Sequence, residues 1–148
     1  MPKFDTRSDN QVAVGLIATL SGTTPSKGNI VDMDGFDGVT FHVATGVVTV
    51  AGTAGFAFEV QESDTTADTA FTAVADADLV GLESALTVTA DADDGKAIGN
   101  IGYIGSKRYT RIVATGTTNT NAAVAVLAVK GRPYIGPVTA NAANIAAT

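Results

Sequence analysis

Two apolar segments late in the chain constrain its fold more than any other feature. Residues 101–116 (IGYIGSKRYTRIVATG) and 122–133 (AAVAVLAVKGRP) are rich in β-branched residues and too short and too irregular to sustain a helical period. The polar stretch 117–121 (TTNTN) between them has turn composition, so the pair reads as two antiparallel strands of one hairpin. A chain closing on such a unit is expected to be all-β.

The rest of the sequence supports that class. Residues 12–20 (VAVGLIATL) form an apolar run of strand length, ended by a cluster of turn residues at 21–29. Next comes a strand that alternates cleanly, with Val39, Phe41 and Val43 on one side and Thr40, His42 and Ala44 on the other. Phe56, Phe58 and Val60 repeat the pattern, with Glu59 and Gln61 facing outward. The segment 46–55, rich in Gly and Val, reads as a short hairpin-like excursion or as an extension of these two strands. Residues 63–70 are a polar loop, 71–74 and 78–80 are ambiguous between strand and turn, and 86–90 is a further short strand. The expected architecture is an antiparallel β-sandwich or jelly-roll-like barrel without substantial helix. Its domain spans 12–137, preceded by an N-terminal arm at 1–11 and followed by a small-residue tail at 138–148 that reads as a disordered end or an arm ordered against a neighbour.

A length of 148 residues suits one domain. The hydrophobic share of 45% leans on Ala and Val and includes no Trp, so burial against other subunits is expected to supplement the core. The absence of Cys excludes disulfides and thiolate metal sites. Neither a signal peptide nor an apolar run of membrane-spanning length is present, which leads to the expectation of a soluble protein without membrane contact. A net charge of −6 argues against nucleic-acid binding, because phosphate must be neutralised by Lys and Arg. The distribution is uneven, however. Acidic residues concentrate between Glu59 and Asp94, whereas Lys107, Arg108, Arg111, Lys130 and Arg132 gather late in the chain and suggest a locally basic face suited to docking.

No motif carries recognisable chemistry. The segment 32–38 (DMDGFDG) has the carboxylates of a calcium loop, but Phe36 takes the fifth position and Gly35 comes one place early, so it reads as a turn into the Val39 strand. Asp91, Asp93 and Asp94 read as a solvated turn. His42 is the only histidine and lies on the outward side of its strand, away from any second ligand or nucleophile. Glu59 and Glu62 read as two outward acids with no aromatic cluster to stack a sugar. Glycines 99, 102 and 105 lie between strands rather than at a helix N-terminus, and so mark close strand approach instead of a phosphate loop. No enzymatic role, cofactor or metal is expected. For Lys107, Arg108 and Arg111 the alternatives are a solvated strand edge and a docking patch making bidentate contacts to carboxylates.

The blocks 34–41 (DGFDGVTF), 44–46 (ATG), 60–64 (VQESD), 71–74 (FTAV), 76–81 (DADLVG), 101–109 (IGYIGSKRY) and 125–133 (AVLAVKGRP), in this order and spacing, resemble small structural proteins of tailed bacteriophages and prophages. The likeness runs from about Val12 to Pro137. It implies a non-enzymatic virion component, a capsid decoration or cement protein on the outer head surface, made in the host cytoplasm and partnered by the major capsid protein. From that class follows a homo-oligomer, with a trimer favoured. The expected shell contacts are Pro2, Lys3, Phe4 and Arg7 of the arm, together with Lys107, Arg108, Arg111, Lys130 and Arg132. The alternative is a tail or head-fibre sandwich module that binds host carbohydrate.

Overall fold

A computed structural model describes residues 9–49, 55–117 and 120–135. Among these residues eleven strands follow one another: β1 (Asn10–Ser21), β2 (Ser26–Lys27), β3 (Val31–Asp32), β4 (Phe36–Thr49), β5 (Phe56–Ser63), β6 (Thr72–Ala73), β7 (Leu79–Val80), β8 (Thr87–Val88), β9 (Ala97–Tyr103), β10 (Tyr109–Thr115) and β11 (Asn121–Pro133). Single 3₁₀ turns at Asp68–Ala70, Asp76–Asp78, Glu83–Ala85 and Asp91–Asp93 are the helical elements among the described residues. The expected all-β class is therefore correct. The expected arm and tail lie largely outside the described residues, although strand pairing already begins at Asn10.

The strands form two antiparallel sheets that face each other without closing into a barrel, the arrangement of a β-sandwich. One sheet has five strands in the order β1-β11-β4-β9-β7. The other is built on β10 and β5, with β2 and β3 sharing the far edge of β10 and β6 and β8 sharing the far edge of β5. Alternation puts Val39, Phe41 and Val43 of β4, Phe56, Phe58 and Val60 of β5, and Ala122, Val124, Val126 and Ala128 of β11 into one core between the sheets. The ambiguous segment after Thr45 continues β4 as far as Thr49.

The late hairpin does not exist. β10 pairs with β5, β2 and β3, whereas β11 pairs with β1 and β4 in the opposite sheet. The physical reason lies in what each strand needs. β11 carries one apolar face and takes a partner along each edge, and β10 is buried from Thr110 to Ala114, so neither has an edge left for the other. The segment between them has no Asn-Gly or Asp-Gly pair to fold the chain tightly back, and it carries the chain from one sheet to the other.

One seam ties the sheets together along an edge. β1 shifts register between Val14 and Leu16, which frees the Gly15 carbonyl to accept the Asn29 amide at 2.7 Å, while the Gly28 amide bonds the Ile112 carbonyl of β10 at 2.8 Å. Only glycine fits at 28. A Cβ there would stand 2.5 Å from the Gly15 oxygen and 2.6 Å from that of Ile112. At the opposite edge, Glu83 Oε1 accepts the Val60 amide at 2.6 Å and the Val74 amide bonds the Val60 carbonyl at 3.0 Å, so the gap between β6 and β8 is capped. Burial of the Glu83 carboxyl raises its pKa.

Candidate functional site

Two surfaces carry the features that a partner could read. The first is the end of the sandwich where β3 turns into β4 and β9 runs into β10. Met33 to Phe36 form a β-turn, closed by the Phe36 amide on the Met33 carbonyl at 2.9 Å, with Gly35 at φ 84° as the third position of a type II turn requires. The Asp34 amide donates to Asp32 Oδ1 at 2.9 Å, so the Asp32 carboxylate organises the loop. The segment expected to be a turn is one. Among the described residues no group of three or more His, Asp or Glu side chains is placed to hold a metal ion.

Arg108 grips that same Asp32 carboxylate with both arms of its guanidinium, Nε at 3.0 Å and Nη2 at 2.8 Å, and lies over the Tyr109 ring. The hydrogen bonds from Arg108 hold the Asp32 pKa below its usual value. Lys130 Nζ donates to the Asp32 main-chain carbonyl at 3.0 Å and sits over Phe36, with its pKa lowered by burial. Lys107 pairs with Asp64 at 2.5 Å, and this contact raises its pKa. Its backbone amide donates to the Tyr103 hydroxyl, which in turn donates to Glu62 Oε2 at 2.7 Å. Burial, followed by the Glu62 contact, pushes the Tyr103 pKa up. Arg132 is the most open of these cations, 84% exposed at its side chain and 3.9 Å from Asp37. An open cleft of about 680 Å³ lies among Asp34, Phe36, Asp37, Lys107, Arg108 and Arg132.

This end differs from the sequence expectation in two ways. The cations do cluster, but Asp32, Asp34, Asp37 and Asp64 interleave with them, so the end is a mosaic of both signs rather than a basic face. Arg111 is not part of it. The residue is 4% exposed on β10, bonds Gln61 Oε1 at 2.9 Å and Asp68 Oδ1 at 2.5 Å, and stacks on Phe71 at 4.2 Å, so it offers no guanidinium to a partner. Pro2, Lys3, Phe4 and Arg7 lie outside the described residues. Glu59 and Glu62 were expected to point outward together. They point to opposite sides of β5, as residues three apart on a strand must, and Glu62 reaches Tyr103.

The second surface is the outer face of the five-stranded sheet, which motif reading missed. Register sets Val14, Leu127, His42 and Asn100 in one row across β1, β11, β4 and β9. The flanking rows are Ile17, Ala125 and Ala44 on one side and Val129, Thr40 and Gly102 on the other. None of these residues carries a formal charge with His42 neutral, although Ile17 is 70% and Leu127 45% exposed. The signal was present in the alternation. On strands whose inward set is already apolar, the outward set is Val, Ile, Leu and Ala where charge would be ordinary. Gly102 faces Val80 across the β9–β7 pair, close enough that a Cβ would meet it at 3.1 Å, which is the close strand approach expected of the glycine series.

No known family model matches the chain, and no curated protein matches its sequence.

Proposed function

We propose that this chain is a non-enzymatic structural protein of a phage virion, a decoration protein that binds the major capsid protein on the outer head surface and stabilises the shell. The observation that carries the reading is the placement of its candidate contacts. Asn10, where the chain enters β1, pairs with Gly131, between Lys130 and Arg132, at the same end as Lys107 and Arg108. The root of the N-terminal segment and four cations thus share one end, which supports attachment through that end.

Interleaved charges suit that task. A mosaic of both signs fixes register and orientation against a complementary surface, whereas net attraction would bind any acidic protein. Repetition over a shell makes modest single contacts sufficient, since linked contacts raise one another's effective concentration. Binding that favours the assembled shell over separate subunits stabilises it by mass action. The carbohydrate-binding alternative draws little support, because Tyr103 is buried and Tyr134 is the strongly exposed tyrosine among the described residues.

Co-sedimentation with shells assembled from the cognate major capsid protein tests the proposal. The intact protein is expected to pellet with the shells. Deletion of residues 2–7 or the double substitution Lys107→Glu, Arg132→Glu is expected to release it. Intact protein that stays in the supernatant while shells pellet would sink the reading.

A further inference from the structure

The outer face of the five-stranded sheet borders the polar end at Ile104 and Arg132 but is different in character, and it requires its own explanation. The chain has a net charge of −6, and 16% of its residues are charged, yet the paired rows around Leu127 contain no charged residue. Two copies of an acidic protein repel each other wherever their carboxylates meet. This is a face on which they can approach without that cost.

Relief on the face points to the same occupant. Val14, Leu127 and His42 are all exposed and stand in one row, a ridge between two hollows. On one side lies a hollow of about 590 Å³ floored by Ala44, Gly46, Ala123 and Ala125, with the exposed Ile17 at its rim. On the other lies a hollow of about 300 Å³ bordered by Thr40, Asn100, Gly102 and Val129, which reaches Arg132 at the polar end. Ridge and hollow are therefore carried by one surface, so a second copy turned about a two-fold axis offers each ridge a hollow and receives the reciprocal contact. Strands lie about 4.8 Å apart and outward residues about 6.8 Å apart along each strand, so the three rows across β1, β11, β4 and β9 cover roughly 400 Å² of flat area. That is about half of the roughly 800 Å² per partner of a standard interface.

We infer that this face pairs two copies of the chain, sheet against sheet, with the Leu127 ridge of each seated in a hollow of the other. The pairing goes beyond attachment to a shell and does not depend on it. It also departs from the trimer expected from the resemblance, because a self-complementary face closes on two copies while a trimer needs two different surfaces.

Sedimentation equilibrium on the intact protein and on single variants tests the inference. The intact protein is expected to be a dimer at micromolar concentration. Leu127→Asp and Ile17→Asp are expected to weaken dimerisation at least about a hundred-fold, because each pairing then buries carboxylates against apolar surface. Leu82→Asp, at an exposed apolar residue outside the paired rows, is expected to leave the dimer intact. If Leu127→Asp fails to fold, His42→Glu carries the same test at a position already polar and exposed. An intact protein that remains monomeric, with the face covered by residues 136–148 of its own chain or by nothing, overturns the inference. So does a dimer that survives all the face variants. A monomeric protein that binds shells but loses them on Leu127→Asp also overturns it, because the shell is then the occupant. A dimer that fails to bind shells upholds the inference and sinks the decoration role instead.

Discussion

The two outer faces of the sandwich are built from the same alternating strands but are finished in opposite ways. Over β5 and β10 the chain returns on itself: Arg111 and Gln61 face outward, and the loop after Ser63 brings Phe71 onto Arg111 and Asp68 to both Arg111 and Lys27. Over β11 and β4 the outward residues are Ala, Val, Leu, Thr and His, and Ile17 and Leu127 remain exposed. A charged face covered by its own loop is a finished surface. An uncharged face holding exposed aliphatic side chains is left open to another molecule. The difference separates a half of the molecule that covers itself from one that does not.

Breaking the seam that both sheets share should have the largest effect. Gly28→Ala places a Cβ against the Gly15 and Ile112 carbonyls and must displace the amide bonds that link β1 to β10. Overpacking of this kind costs about 3 kcal/mol. For a domain of this size that corresponds to a fall of about 9 °C in melting temperature. A variant melting within about 1 °C of the parent would show that the seam does not hold the sheets.

One substitution on each face separates the two. Arg111→Ala removes three hydrogen bonds made by the side chain, a stacked ring contact and its buried arm, an expected loss of about 2 kcal/mol. Asp68 is itself well exposed, so the full penalty of stranding a buried charge does not apply. Leu127→Ala, measured at a dilution that keeps the protein monomeric, is expected to stay within about 0.5 kcal/mol. Urea unfolding of both variants provides the check. Equal losses would erase the distinction between a covered and an exposed face.

Much of this could be read from the sequence, and the exceptions share a cause. Alternation located β4, β5 and the buried sides of both, because a strand's side-chain period is local. The same period placed His42 outside and, applied to Glu59 and Glu62, separates them to opposite sides. Pairing is not local. Nothing within 101–133 indicates that β10 will take β5 while β11 takes β1 and β4, so the hairpin reading failed at its one non-local step. Arg111 was misplaced for a related reason: its partners Gln61, Asp68 and Phe71 lie about 40 to 50 residues earlier in the chain. The uncharged face was readable strand by strand, but it becomes a surface only once register brings Val14, Leu127 and His42 together.

At the polar end, Tyr103→Phe tests whether the cleft is held from beneath. The substitution leaves the Lys107 amide without its acceptor and Glu62 without its donor, an expected cost of about 1 kcal/mol. Because the lost bonds position the loop that carries Lys107, amide hydrogen exchange across residues 104–108 should quicken more than exchange in β11. Uniform quickening throughout the chain would assign Tyr103 to general stability instead.

The smallest effect separates the charged face from the rest by pH. Hydrogen bonds from Lys27, then Arg111, hold the Asp68 pKa below its ordinary value of 3.8. A carboxyl with a depressed folded-state pKa contributes stability that is fully present above the unfolded pKa and is lost as pH falls through the folded one. Near neutral pH, therefore, the parent should melt above Asp68→Asn by a margin that does not change down to about pH 5. Below about pH 4 the margin should shrink, and at lower pH the two curves should meet, because protonation abolishes in the parent what the substitution removed from the variant. Asp32 titrates in both proteins and cancels from the difference. A margin that persists unchanged into strong acid would mean that Asp68 acts through packing and that the loop covers β10 without help from its charge.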